Sequence, residues 1–181
     1  MHRAQGIGKK IGQMLMFAAM GLALAAPARA EVKEASESGF TVSHVQVVKA
    51  RPDAVWAALV QPARWWSGAH SWSGKAAHLS LDPHVGGCFC ERWPGGEAEH
   101  ARVIFASPGK LLRLRGALGP LQGEALTGTL SFTLKPEGEG TRISVDYVVG
   151  GHARFPLKTV APAADGVIGE QPASLANLVG G

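Results

Sequence analysis

The sequence predicts an α+β fold in which a curved antiparallel sheet of about six to seven strands wraps around one long C-terminal helix. Two segments, 126–134 and 142–149, alternate apolar and polar residues with the period of a half-buried strand. In the last part of the chain the apolar residues instead recur at steps of three and four, as on one face of a helix. Only that helix is long enough to cover the apolar face of the sheet.

Residues 1–30 have the pattern of a secretory signal peptide. Three basic residues precede an apolar run over residues 11–26, and Ala28-Arg29-Ala30 supplies the small residues that a signal peptidase accepts. We expect cleavage after Ala30 and a periplasmic or secreted protein without a membrane span once the signal is removed.

The charge distribution gives no reason to expect nucleic acid as a partner. The chain has 18 Lys and Arg against 14 Asp and Glu, but four of the basic residues lie in the signal, so the remainder is formally neutral. The sequence has neither a basic patch with interleaved aromatic residues nor a dinucleotide or phosphate-binding motif. We expect one domain over residues 40–179, preceded by a flexible polar lead-in at residues 31–39.

Local signals predict the elements at the start of this domain. A Val-rich segment at residues 40–49 predicts the first strand. Pro52 and Asp53 suit the first turn of a helix that ends before Pro62, and residues 63–66 allow a second short helix.

Turn residues divide the middle of the sequence into further strands, and one helix completes the chain. The strands are predicted at residues 78–81, 88–93, 101–106 and 110–116. The terminal helix covers residues 157–178. Because Pro162, Gly166, Gly169 and Pro172 interrupt it, we expect a kinked or two-piece helix.

The order and spacing of several short motifs resemble the START-like superfamily, in the branch of the activators of the heat-shock protein 90 ATPase. These motifs are Pro52-Asp53-Ala54-Val55-Trp56, Arg64-Trp65-Trp66, Leu81-Asp82-Pro83 with Gly86-Gly87 and Phe89, Pro108-Gly109-Lys110-Leu111-Leu112, the Thr-rich strand at residues 126–134, Gly140-Thr141-Arg142 and Asp165-Gly166-Val167. The resemblance implies a helix-grip fold with a hydrophobic cavity that holds a lipid-like or aromatic molecule. The predicted export argues against an ATPase-activating role, because such chaperones work in the cytoplasm.

The gap expected between sheet and helix predicts a binding or carrier protein for a small hydrophobic or amphipathic ligand, without a cofactor or metal. The candidate ligand-binding residues are Trp66, Trp72, Cys88, Cys90, Trp93, Leu114, Leu130, Phe132, Tyr147, Val167 and Gln171. Gln171 has a second interpretation, a hydrogen bond beside Pro172. If Trp65, Trp66 and Trp72 instead form an exposed apolar patch, the protein is an interaction module.

A further alternative is an enzyme of cyclase, aromatase or hydrolase type. A two-residue turn at Gly95-Gly96 would pair Glu91 with His100 and place both on one face of a hairpin. A carboxylate in that position raises the pKa of the imidazole and fixes its tautomer, as general acid–base catalysis requires. The other interpretation is a cross-strand pair at the surface without a catalytic role.

The two cysteines, Cys88 and Cys90, are expected on the opposite face of this hairpin. On a regular strand their Cα atoms would lie about 6.5 Å apart, at the upper edge of what a disulfide spans, so we expect free, partly buried thiols. The same pairing directs His100 away from them, and no metal site is expected. A register slip of one residue would reverse that last conclusion.

Overall fold

The computed structural model describes residues 31–180, and the predicted signal peptide lies outside the described residues. This part of the chain forms one sheet of eight antiparallel strands with two α-helices, which confirms the predicted α+β architecture. The strands are β1 (Glu31–Ala35), β2 (Gly39–Val48), β3 (Leu79–Leu81), β4 (Cys88–Trp93), β5 (Gly96–Ser107), β6 (Leu111–Arg115), β7 (Ala125–Glu137) and β8 (Gly140–His152). The helices are α1 (Pro52–Leu59) and α2 (Ala161–Gly180).

The strands follow the order β1-β2-β8-β7-β6-β5-β4-β3 across the sheet. The two longest, β7 and β8, form the hairpin predicted from their alternation, with Leu130 opposite Tyr147 and Phe132 opposite Val145. All four of these side chains are buried, whereas the residues between them alternate toward the other face. The period-two pattern therefore identified the covered face of the sheet correctly.

Residues 31–39 are not a flexible lead-in. Glu31–Ala35 form β1, which pairs with β2 so that Ala35 lies opposite Phe40, and Gly39 is already the first residue of β2. The polar composition of this segment hid the strand. An edge strand is held by its backbone hydrogen bonds, and most of the described side chains of β1 are exposed to solvent.

Helix α1 begins where the sequence predicts. Pro52 occupies its first position and Asp53 lies in its first turn, while Val55 and Leu59 are fully buried. Pro62 lacks a backbone N–H, so the helix cannot continue through it. The second predicted helix is therefore only one 3₁₀ turn, Pro62–Arg64.

Helix α2 is one uninterrupted helix of 20 residues, so of the two forms expected, kinked or two-piece, the two-piece form is wrong. It also begins later than predicted, because residues Leu157–Thr159 form a separate 3₁₀ turn. Pro162 is the second residue of α2, where its missing N–H would have no partner within the helix. Pro172 lies inside the helix and is buried, as are Ile168 and Leu175 on either side of it.

Helix α2 packs mainly against β2, with further contacts to α1, β1 and β8. It therefore covers one half of the sheet's apolar face, and an open space remains between the helix and the half that contains β5. Within residues 31–180, no helix has both the length and the apolar composition needed to cross a membrane.

Candidate functional site

A cavity of about 500 Å³ lies between α2 and the sheet. Its walls are formed by Trp66, Ala69, His70, Ser71, Trp72, His100, Leu118, Gly119, Pro120, Leu121, Tyr147, Phe155, Val160, Ala163, Ala164, Val167 and Ile168. Most of these side chains are apolar, and Trp72, half exposed, lies where the cavity meets solvent. A volume in this range is typical of sites for small organic ligands, which span about 300 to 1,000 Å³.

One wall of the cavity is the first half of α2. Ala164, Val167 and Ile168 recur at the spacing of one helix face, and Val160 precedes them in the same direction. Ala163 and Ala164 are small, so the helix leaves room that a larger side chain would occupy. The sequence periodicity identified this face, but it could not show that the face borders a cavity.

A second wall, residues 118–121, is held by Tyr147 on β8. The Tyr147 hydroxyl accepts a hydrogen bond from the backbone N–H of Leu118 at 2.8 Å and donates one to the carbonyl oxygen of Gly116 at 3.2 Å. Burial raises the pKa of Tyr147 to about 12, so the hydroxyl stays protonated and keeps its donor role. Gly128 lets this hydroxyl approach, since a Cβ atom there would lie 2.7 Å from it.

The third wall is the segment 66–73, which two side chains of α2 hold in place. The amide oxygen of Gln171 accepts a hydrogen bond from the backbone N–H of Ser67 at 3.0 Å, and the amide nitrogen donates to the carbonyl oxygen of Val167 at 2.8 Å. Nε2 of His70 lies 2.9 Å from a carboxylate oxygen of Glu170. Gln171 is thus a buried tether between helix and loop and does not line the cavity, contrary to its prediction as a ligand contact.

Glu91 on β4 holds the other end of this segment. Its carboxylate accepts hydrogen bonds from the backbone N–H groups of Trp72 at 2.9 Å and Ser73 at 2.7 Å, and it lies 3.0 Å from Nε2 of His100. Burial acts to raise the pKa of Glu91, but the hydrogen bonds from Ser73, Trp72 and His100 outweigh it and lower the pKa to about 2. Glu91 is therefore ionised although it is fully buried, because Trp72, Ser73 and His100 form hydrogen bonds with its carboxylate.

His100 on β5 connects this carboxylate to the cavity. Its ring lies on the cavity wall and packs against Phe89 with 5.1 Å between ring centroids. Burial lowers the pKa of His100, and the opposing effect of the Glu91 carboxylate does not offset it. The imidazole is therefore neutral at neutral pH, and because an ionised carboxylate accepts, Nε2 carries the proton.

The predicted proximity of Glu91 and His100 is confirmed, but the hairpin register is not the predicted one. The two-residue turn is Pro94-Gly95, with Gly95 at a φ of 91°, and not Gly95-Gly96. Glu91 consequently lies opposite Ala98, and a bulge leaves His100 as an extra residue between the Cys90–Glu99 and Phe89–Ala101 pairs. Primed hairpin turns need a positive φ at the first turn residue, which Pro94 cannot adopt, so the observed turn is not a primed one.

The expectation of free thiols is wrong, because Cys88 and Cys90 form a disulfide with 5.3 Å between their Cα atoms. The two Cα atoms lie closer than the about 6.5 Å of a regular strand and within the range that a disulfide spans. Neither cysteine lines the cavity. Among the described residues, no group of three or more His, Cys, Asp or Glu side chains is placed to hold a metal ion.

The other candidate ligand-binding residues divide between cavity and core. Trp66, Trp72, Tyr147 and Val167 lie on the cavity wall, so their role in binding stays a prediction. The apolar strand residues Leu114, Leu130 and Phe132 are instead packed in the core beside Trp65, around a space of only about 10 Å³. Trp93 covers Gly96 at the tip of the hairpin, where a Cβ atom would meet its ring at 2.5 Å.

Two further outcomes concern apolar side chains in loops. Trp65 and Trp66 are each only 6% exposed, so they do not form an exposed patch with Trp72, and the interaction module based on that patch is not supported. Leu118, Leu121 and Phe155 were not predicted from the sequence, and they line the cavity from connections between strands and helix. Large apolar residues in a Gly- and Pro-rich loop were the available signal, because such residues need a partner surface.

The sequence matches one family of known proteins over most of its length. Residues 39–180 match the protein family described as polyketide cyclase / dehydrase and lipid transport. No curated protein sequence matches the chain.

Several solved structures have the same fold. A crystal structure from Mesorhizobium loti superposes with a TM-score of 0.54 at 21% sequence identity, over 76% of this chain and 95% of that one. One from Chromobacterium violaceum gives a TM-score of 0.53 at 20% identity, over 78% and 97%. The solution structure of the Aha1 dimer from Colwellia psychrerythraea gives 0.51 at 17% identity, over 77% and 96%.

Proposed function

Since the chain belongs to the polyketide cyclase / dehydrase and lipid transport family, and so to the START-like superfamily that its motifs resemble, we propose that it binds a small hydrophobic or amphipathic molecule. The cavity of about 500 Å³ carries this proposal. The core beneath it, around Leu130 and Phe132, is closely filled, so the cavity is not a general looseness of packing.

The proposed place of action is the periplasm or the exterior of the cell, after removal of residues 1–30. The signal-like sequence supports this, as does the Cys88–Cys90 disulfide, because disulfides persist in oxidising compartments and are rare in the cytosol. In this setting the protein would carry a poorly soluble molecule through water, with the cavity shielding its apolar surface.

Filling the cavity tests the binding proposal. Ala164 lines it from α2, and Ala164→Phe introduces a ring into the space. Ala54→Phe is the matched control, because Ala54 is exposed on α1 and does not line the cavity. With naphthalene as the probe, wild type and Ala54→Phe should bind in fluorescence titration and Ala164→Phe should not. Equal binding by all three proteins would show that this cavity is not the site.

A second candidate function, general-base catalysis, is favoured by the position of the Glu91–His100 pair on the cavity wall. In this scheme Nδ1 of His100 takes a proton from a carbon next to a ligand carbonyl, leaving an enolate and an imidazolium. The Glu91 carboxylate stabilises that imidazolium through its hydrogen bond with Nε2. Return of a proton from Nδ1 to the ligand restores the neutral pair.

Deuterium exchange into 2-tetralone, followed by NMR in D₂O, tests this second candidate. The ketone is small enough for the cavity, and enolisation exchanges the hydrogens next to its carbonyl. We expect exchange faster than in buffer for wild type, slower for Glu91→Gln and at the buffer rate for His100→Phe. If wild type gives only the buffer rate while it binds the ketone, the pair is not a base and the binding function stands alone.

A further inference from the structure

We infer that the cavity selects uncharged ligands that carry a hydroxyl group, which donates a hydrogen bond to Nδ1 of His100, over both hydrocarbons and carboxylates. The inference rests on the proposed binding function and names the ligand class. Two features support it: a polar atom of the cavity wall that has no hydrogen-bond partner, and the charges around the cavity.

Nδ1 of His100 is an open acceptor. Nε2 donates to Glu91, so in the neutral imidazole the lone pair is on Nδ1. Within residues 31–180 every buried side-chain nitrogen or oxygen has a hydrogen-bond partner. Nδ1 has none there, so this atom is not fully buried, and the space that the ring borders is the cavity.

The other side chains of the wall that could accept a hydrogen bond are less available than His100. The Tyr147 hydroxyl uses both its donor and its acceptor capacity on Gly116 and Leu118. The Ser71 hydroxyl donates to the carbonyl oxygen of Gly68 at 2.9 Å, and it is partly exposed, so water competes for its lone pairs. His70 pairs with Glu170 and is partly exposed, so water competes for its remaining nitrogen. A ligand group that enters the cavity therefore finds its acceptor at His100, which is only 5% exposed.

The charges around the cavity disfavour an anion. Among residues 31–180, none of those on the cavity wall is Lys or Arg. Arg154, which precedes the wall residue Phe155, is held by the Glu124 carboxylate in contacts of 2.6 and 3.0 Å. The ionised Glu91 lies directly behind His100. A carboxylate in the cavity would therefore lose its water without gaining a cation.

The N-terminal turn of α2 favours an anion instead, so the experiment below includes a carboxylate as a probe. The first turn of α2 borders the cavity at Ala163, and the N-terminal turn of a helix attracts negative charge. Pro162 removes one of the N–H groups that this turn would otherwise present.

The experiment compares 2-naphthol, naphthalene and 2-naphthoate as probes of the purified protein at neutral pH, by calorimetric or fluorescence titration. These share one ring system and differ in a single group. We expect 2-naphthol to bind about five- to tenfold more tightly than naphthalene, as one net hydrogen bond provides, and 2-naphthoate to bind most weakly. His100→Phe should abolish the preference for 2-naphthol while it still binds naphthalene.

One further ligand and one further variant keep the test decisive. 2-Methoxynaphthalene has the oxygen but no hydrogen to donate, so it should bind wild type no more tightly than naphthalene does, and this result is informative even if His100→Phe does not fold. His70→Gln should keep the preference. Loss of the preference in His70→Gln alone, tightest binding of 2-naphthoate, or equal binding of 2-naphthol and naphthalene would overturn the inference and leave the binding function standing. If no probe binds, the binding function itself is wrong.

Discussion

The imidazole ring of His44 on β2 lies directly against Gly169 on α2, where a Cβ atom would be 2.6 Å from Cε1 of the ring. Nε2 of the same ring contacts the Asp165 carboxylate, one turn earlier on α2, at 2.9 Å. The ring is buried and held by Asp165, so it cannot move aside easily. This contact fixes the helix on one half of the sheet, and the cavity is the space that remains.

Gly169→Ala should therefore destabilise the protein, although alanine is the better helix former by about 1 kcal/mol. The added methyl group must displace a buried ring, and such overpacking costs about 1 to 3 kcal/mol. We expect the net fall in the free energy of unfolding, measured in urea, to be up to about 2 kcal/mol.

Gly166→Ala is the matched control for this change. Gly166 lies one turn earlier on α2 and is exposed, and a Cβ atom at this position would meet no neighbouring atom within 4 Å. This variant should be neutral or more stable by up to about 1 kcal/mol. Equal behaviour of the two variants would contradict a special role for the contact between Gly169 and His44.

Helix α2 shows what sequence periodicity can predict and what it cannot predict. The spacing of Ala164, Val167 and Ile168 predicted a helix with one apolar face, and α2 has this face. Whether such a face fills a core or borders a cavity depends on how far the helix stands from the sheet. His44 and Gly169 set that distance in three dimensions, and no pattern in a single sequence reports it.

The carboxylate of Glu91 should make stability depend on acid pH. Its pKa is about 2 in the folded protein, compared with 4.5 when it is unperturbed. Between these values the unfolded chain binds more protons, so the contribution of Glu91 to stability is complete above about pH 4.5 and is lost as the pH falls toward 2. Urea unfolding at several pH values should show this loss in wild type.

Glu91→Gln should reduce the slope of stability against pH in this window. The amide has one acceptor oxygen where the carboxylate has two, so one of the N–H groups of Trp72 and Ser73 loses its partner, at a cost of about 1 to 3 kcal/mol at neutral pH. The exposed Glu97→Gln is the control and should leave the slope unchanged. An unchanged slope in Glu91→Gln would show that other carboxylates cause the acid sensitivity.

The Cys88–Cys90 disulfide should contribute little to stability and nothing to ligand binding. It closes a loop of only three residues, for which the chain-entropy relation gives about 2 kcal/mol or less. Reduction, or the double change to serine, should lower the free energy of unfolding within that limit. Naphthalene binding should not change, since neither cysteine lines the cavity. A large loss of binding on reduction would instead mean that β4 transmits the change to His100.

The hairpin that carries this disulfide shows why the candidate site was only partly predictable. Glu91 and His100 were identified because a carboxylate and an imidazole fell close together on paired strands. Their contact depends on a turn at Pro94-Gly95 and on a bulge that inserts His100 as an extra residue. The turn moves the partner of Glu91 by two residues, from His100 to Ala98, and a shift of two by itself leaves the faces of β5 unchanged. The predicted contact therefore survived although the register was wrong.

The tether between Gln171 and Ser67 should control access to the cavity. Gln171→Leu removes the acceptor from the Ser67 N–H, so we expect faster amide exchange across residues 66–73 and weaker naphthalene binding, with a stability loss of about 1 to 3 kcal/mol. Gln171→Glu keeps an acceptor for Ser67 but loses the donor to Val167, and it should protect the segment better than leucine does. Exchange rates unchanged from wild type in Gln171→Leu would show that Glu91 and Glu170 hold this wall without Gln171.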